Sequence, residues 1–237
     1  MAEYKGIEVR AAQGLHEDCF AIIERHFPKG SKILDLAAGA GAFSARLADA
    51  GYDVTANDID DENWGAKDIP KLALDLNEPL DNCHLESAYA GVVVMEVIEH
   101  LKNPSKLLED CKRLLAGGGY ILLSTPNVMD IESRLIFLRS GLFFHFGPQS
   151  FFATGHRTIL PYWLLEILFD EAGLEVVERR WGGDLLASGG SFAWLKRIVI
   201  GVIRPFIKVR TIGELDSNYL IYLLRARTGA TPSASLS

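Results

Sequence analysis

The sequence predicts an α/β domain organised on a mostly parallel sheet with helices on both faces, and three observations carry that prediction. Short apolar runs alternate with amphipathic stretches, as strands buried on both faces alternate with the helices that cover them. A small-residue turn, Ala37-Ala38-Gly39-Ala40-Gly41-Ala42, joins the first such run to a helix-like segment. A second run, residues 52–58, ends on the carboxylate of Asp58, about 20 residues beyond the glycines.

The elements follow in chain order. Leu15, Cys19, Ile22, Ile23 and Phe27 fall at helical spacing, so residues 11–27 read as a helix that Pro28-Lys29-Gly30 ends. His16, near its start, reads as a surface histidine. Ile33, Leu34 and Leu36 make the first strand, with Asp35 inside it, and residues 43–50 form the helix after the turn. Glycine lets the backbone approach a ligand closely, so this strand, turn and helix suit a nucleotide cofactor. Asp58 can accept from both ribose hydroxyls of an adenosine. Trp64 beside Gly65 either flanks an adenine ring or packs.

Residues 71–76 read as a third short strand and Tyr89–Met95 as a buried one that runs into Glu96-Val97-Ile98-Glu99-His100-Leu101. Pro104 opens a helix over 105–115, with Leu107, Leu108, Cys111 and Leu114 on its apolar face. Gly117-Gly118-Gly119 ends that helix, and residues 120–127 form a fifth strand. A helix over 161–172 and strands over 174–178 and 219–224 complete the pattern.

Composition narrows the function classes. A chain of 237 residues, 49% apolar, suits one domain over 1–227, with a Ser/Thr/Pro/Ala-rich tail at 228–237 expected to be disordered. A net charge of −7 argues against nucleic acid held on a broad basic surface. The N-terminus lacks the apolar core of a signal peptide, and no window approaches the roughly 18 apolar residues of a membrane span. Cys19, Cys83 and Cys111 are scattered without CxxC spacing, so reduced thiols in a cytoplasmic setting are expected.

The run Asp35-Leu36-Ala37-Ala38-Gly39-Ala40-Gly41 resembles the first motif of class I S-adenosylmethionine (SAM) methyltransferases, an acid followed by G-x-G-x-G, with Ala37 replacing the first glycine. EVIEHL at 96–101 and LLAGGGYILLSTPN at 114–127 resemble the ubiquinone-biosynthesis-type subgroup of that superfamily. The resemblance implies a Rossmann-like sheet of seven strands, the last antiparallel, and SAM as cofactor. It implies that Asp75 reaches the adenine amino group. Asp35, Ala37, Gly39, Gly41, Ile59, Leu76, Met95 and Glu96 would complete the cofactor site with Asp58. The implied activity is O-methylation of a small-molecule, glycan-like or partly apolar acceptor. A quinone-precursor or lipid acceptor at a membrane surface is the alternative. A non-catalytic partner protein that binds SAM, or nothing, is the alternative from another class.

Two stretches lie outside the shared pattern. Residues 128–159 carry a dense aromatic load and are too long for a structureless loop, so they read as a partly ordered acceptor lid. Residues 182–217 include an apolar stretch with interspersed Lys and Arg. Its segment 190–208 suits ordinary packing, a homodimer or partner contact, or a peripheral membrane contact.

Methyl transfer to a hydroxyl needs a base. His156, at the end of the lid, is the first candidate and His100 the second. Glu96, Glu99 and His100 sit at i, i+3 and i+4, which share a face on a helical turn. With His156 they form a candidate Mg or Mn site. The pattern is similar to the E-x-x-E-H metal motif of small-RNA 2′-O-methyltransferases, whose later histidine His156 would match. In the alternative reading Glu96 closes the cofactor pocket while Glu99 and His100 cap the loop.

Overall fold

The structure is a computed structural model that describes residues 2–60, 62–80, 85, 88–183, 198, 201–202, 204–207 and 213–228. A small hairpin, β1 (Glu3–Tyr4) and β2 (Ile7–Glu8), precedes α1 (Leu15–His26). The main sheet has seven strands in the order β5-β4-β3-β6-β7-β9-β8. These are β3 (Lys32–Leu36), β4 (Asp53–Asn57), β5 (Lys71–Leu72), β6 (Tyr89–Met95), β7 (Leu115–Pro126), β8 (Leu174–Gly182) and β9 (Tyr219–Ala226). β9 runs antiparallel to both of its neighbours, while β3 to β7 pair in parallel.

Burial on both faces explains the continuous apolar runs. Leu34, Val92 and Val94 face one core cluster, with α3 (Pro104–Leu114) and α6 (Tyr162–Glu171). Ile33, Val93 and Leu122 face the other, with α1 and α2 (Ala42–Asp49). Asn103 caps α3 by accepting the amide of Lys106 at 3.2 Å, with Pro104 at the first helical position.

Four boundaries differ from the sequence reading, each for a local reason. Gly14, at φ +84, is left-handed, so α1 starts at Leu15 and not at residue 11. β5 stops at Leu72, because β4 ends at Asn57 and offers no further ladder. The Asn57 amide takes its place, donating to the carbonyls of Leu72 and Leu74 at 3.1 Å each. β7 begins at Leu115, so the glycine run lies inside the strand. Its pairing slips between Tyr89↔Leu115 and Gly91↔Tyr120, an irregularity that Gly118 absorbs at φ +81. β8 continues to Gly182, because β9 pairs with it along that whole length.

The stretch read as a lid contains two short helices, α4 (Ile131–Ser140) and α5 (Pro148–Thr154). Ile131 and Leu215 anchor α4, with Leu135 and Ile207 packed beside them, and Arg134 pairs with Glu214. α5 buries no residue. Among the described residues, no helix is long and apolar enough to cross a membrane. Most of 190–208 and all but the first residue of 228–237 lie outside the described residues, so the expectations for those segments do too.

Candidate active site

The strand β3 ends in a turn whose backbone is left-handed at Ala37 (φ +54), Gly39 (φ +58) and Gly41 (φ +89). Alanine holds the first of these positions against a bias that glycine would not feel. Asp58, just past β4, closes the turn from the side. Its carboxylate accepts from the Gly39 amide at 2.7 Å and from the Asp60 amide at 2.9 Å, and each oxygen keeps a lone pair for a ligand. The cleft in front is lined by Arg10, His16, Ala37, Phe43, Met95 and Glu96, and its open volume is about 40 Å³. Arg10 lies across the turn, 3.8 Å from where a Gly39 Cβ would stand, and is held by Glu8 at 2.9 Å and Asp60 at 3.9 Å.

Other residues assigned to the cofactor are placed differently. Asp35 sits behind the turn, 1% exposed, where it accepts from the Ser44 hydroxyl at 2.6 Å. Burial pushes its pKa up to about 7, with the charge of Asp58 adding and the Ser44 bond opposing. Gly41 faces Trp64 and not the cleft: a Cβ there would stand 2.7 Å from the indole, so Trp64 packs against the turn. Asp75 is exposed and turns back onto Asn77 at 2.9 Å. Leu76 is buried in the core, and Ile59 is 69% exposed beside Asp58.

His16 corrects the surface reading. It is 8% exposed, meets Phe43 edge-on at 5.0 Å and lines the cleft. Burial drives its pKa down to about 4, opposed by Glu17 and reinforced by Arg46. The signal was present, since His16, Cys19 and Ile23 share one helix face at i, i+3 and i+7. Arg10 and Phe43 also belong to the cleft without having been singled out.

Past β6 the chain divides the four supposed metal ligands. Glu96 has φ +49, so it stands outside the 3₁₀ turn Ile98–His100, and the helical spacing argument does not apply to it. It faces the cleft and shares a 3.2 Å hydrogen bond with Ser124; burial raises its pKa. Glu99, His100 and His156 do converge, with candidate ligand atoms within 4.8 Å of one another. Glu99 is fully buried. Its Oε2 accepts from Thr125 at 3.0 Å, while Oε1 has no partner and lies 4.0 Å from the His100 Nε2. Desolvation and then the charge of Glu96 hold the Glu99 carboxyl well above the usual range.

The His100 and His156 rings meet edge to face at 4.6 Å. Burial lowers the pKa of both, and for His100 the neighbouring His156 adds to it. The His156 Nδ1 donates to the carbonyl of His145 at 3.1 Å, which leaves Nε2 as the acceptor nitrogen. His156 also forms part of the wall of a cavity of about 450 Å³ within the lid. Leu142, Phe143, Phe146, Phe151 and Phe152 supply much of its apolar lining.

A strand, a left-handed turn and two flanking carboxylates thus accompany an aromatic chamber with His156 on its wall. The methyltransferase domain family matches residues 11–179, well over half of the chain. The chain belongs to the methyltransferase domain family. Among curated relatives of this methyltransferase domain, the ubiquinone biosynthesis O-methyltransferase of Psychrobacter cryohalolentis is 36% identical over 107 residues. That match covers 41% of this chain, and the chain spans 42% of that relative's length. A SAM dependent methyltransferase from Archaeoglobus fulgidus superposes with a TM-score of 0.60 at 18% identity, over 89% of this chain and 94% of its own. The 1,6-didemethyltoxoflavin-N1-methyltransferase of Burkholderia thailandensis, solved with its acceptor and S-adenosylhomocysteine, superposes at 0.56 and 17% identity, over 90% and 78%. These two likenesses establish the class I methyltransferase fold.

The residues of this methyltransferase domain fit SAM. The turn is open-backed at Gly39, where only the Arg10 side chain lies against the missing Cβ, and Ala37 keeps the side chain there to a single methyl. Asp58 is fixed beside the turn by two amides, and the Glu96 carboxylate faces the cleft.

Proposed function

We propose that this chain is a SAM-dependent O-methyltransferase whose acceptor, a small and partly apolar hydroxyl compound, seats in the aromatic cavity with His156 as general base. The observation that carries this reading is an imidazole whose pKa burial lowers, on the wall of a largely aromatic chamber of about 450 Å³. SAM, when bound, supplies a methyl group on a sulfonium, so no covalent protein nucleophile is required. Asp58 and the backbone at Ala37 and Gly39 bind and orient the cofactor. The phenylalanines exclude water and align the acceptor, which is where most of the rate gain of an in-line displacement arises. His156 accepts the hydroxyl proton at Nε2 while the His145 carbonyl holds Nδ1–H, and His100 fixes the ring from its other side. The name of the Psychrobacter relative supports an acceptor of the quinone-precursor type, and Phe152, 85% exposed, suits a lipid-like extension at the cavity mouth.

A second reading rests on the Oε1 of Glu99, buried without a partner. Glu99, His100 and His156 would hold a divalent ion such as Mg or Mn, whose charge would favour loss of the acceptor proton.

A calorimetric titration with S-adenosylhomocysteine tests the core of the proposal, run on the natural chain and on Asp58→Ala, with and without chelator. One-site binding is expected, weaker by about 1–3 kcal/mol in the variant, from the loss of charge-assisted hydrogen bonds. An acceptor screen with and without Mg or Mn then separates the two readings. Absence of binding under every condition would leave the non-catalytic partner reading in possession.

A further inference from the structure

We infer that the acceptor carries an anionic group, a carboxylate, sulfonate or phosphate on an apolar body, and that Arg157 recognises it. The inference rests on the reading of the aromatic cavity as the acceptor site.

Arg157 follows His156 directly, and both line the cavity. Its guanidinium stands 5.3 Å from the centroid of the Phe151 ring. Arg134 and Arg204, by contrast, are already neutralised, by Glu214 and Asp216. Among the described residues, no carboxylate pairs with Arg157. An unpaired guanidinium stacked on an aromatic ring keeps its planar fork of donors available for a bidentate anion.

The backbone that carries Arg157 is fixed to the end of the sheet. The amides of Arg157 and Thr158 both donate to the Glu99 carbonyl at 3.0 Å, and the Thr158 hydroxyl donates to the Leu101 carbonyl at 2.7 Å. Gly155, at φ +80, lets this loop close on His100, since a Cβ there would stand 3.2 Å from the imidazole Nδ1. One rigid stretch therefore presents a base and a cation as consecutive residues on the same wall. With phenylalanines elsewhere on that wall, a charge on the acceptor has one place to go, and the hydroxyl is left toward His156. The overall charge of −7 works against any general attraction of anions, so selectivity for them must come from this local contact.

A matched pair of fluorescent probes tests this without methyl transfer: 8-anilinonaphthalene-1-sulfonate, and N-phenyl-1-naphthylamine, which is the same fluorophore without the sulfonate. Both are titrated into the full chain and into Arg157→Gln and Arg157→Lys. The Gln variant is expected to bind the sulfonate about tenfold more weakly, as a partly exposed charge-assisted contact implies, and the neutral probe within about twofold. The Lys variant, which keeps the charge but loses the fork, is expected between the natural chain and the Gln variant for the sulfonate and within about twofold for the neutral probe. Unchanged sulfonate affinity in the Gln variant overturns the proposal. So does an equal loss of both probes, which would make Arg157 a packing residue, and so does a Lys variant as weak as Gln. Titration of S-adenosylhomocysteine into the same samples keeps the readings apart: if the natural chain fails to bind it, the methyltransferase proposal falls while the probe result still decides whether the cavity selects anions.

Discussion

On the proposed reading, the cofactor cleft and the acceptor cavity are made of opposite materials. The cleft is backbone and carboxylate: a left-handed turn, Asp58 clamped by two amides, and an open volume of about 40 Å³. The cavity is about 450 Å³, lined mostly by apolar side chains with His156 and Arg157 on its wall, and is bounded in part by a short helix that buries nothing. Backbone geometry tolerates few sequences, because each left-handed position and each amide donor is fixed by the chain path. A wall of exposed rings tolerates many. Cofactor recognition is thus written in positions, and acceptor recognition in composition.

Substitutions can break or sharpen this contrast. The largest effect is expected on the cavity side from chemistry and not from stability. His156→Ala should lower kcat by about 10²–10⁴-fold while leaving S-adenosylhomocysteine affinity unchanged. Turnover that survives would place the base elsewhere.

Next comes a pair of alanine substitutions read by thermal unfolding. Gly41→Ala puts a Cβ 2.7 Å from Trp64 at φ +89, and should cost about 2–4 kcal/mol from left-handed strain plus overpacking. Phe152→Ala, at an 85% exposed ring, should stay within about 0.5 kcal/mol. Comparable losses at the two sites would erase the distinction between the regions.

The effect that belongs to His16 is confined to one pH window and appears only in acid. Its folded pKa is depressed to about 4 from an ordinary 6.5, so the unfolded chain binds the proton more readily between those values. The stability linked to it is complete above the unfolded pKa and lost as pH falls toward the folded one. About 2 kcal/mol should be gone by pH 5. Urea unfolding of the natural chain and of His16→Gln at pH 7 and pH 5 would show this as a difference of differences. An equal fall in both proteins would mean that His16 is solvated.

What could be read from sequence follows the same divide. β6 was legible residue for residue, because seven successive residues, five of them buried, in a strand paired on both edges leave little ambiguity. The turn at Ala37–Gly41 was legible as a motif, yet only the structure shows that Gly41 serves Trp64 and that Asp35 works from behind. The i, i+3, i+4 argument for Glu96, Glu99 and His100 assumed a helix, and the left-handed Glu96 breaks it, leaving a three-residue cluster. His16 was hidden by a helix start placed four residues too early, which blurred the face it occupies. The end of β5 was unreadable, since it depends on an asparagine amide that stands in for a missing ladder.

Arg10 has a kinetic consequence. Small-molecule sites span about 300–1,000 Å³, and the space before the turn is far below that while Arg10 bridges Glu8 and Asp60 across it. On the proposed reading a nucleoside before the turn must displace the Arg10 side chain, so its apparent affinity is the intrinsic one scaled by the fraction of time that Arg10 stands aside. Loosening the Arg10–Glu8 pair would raise that fraction and with it the rate of association.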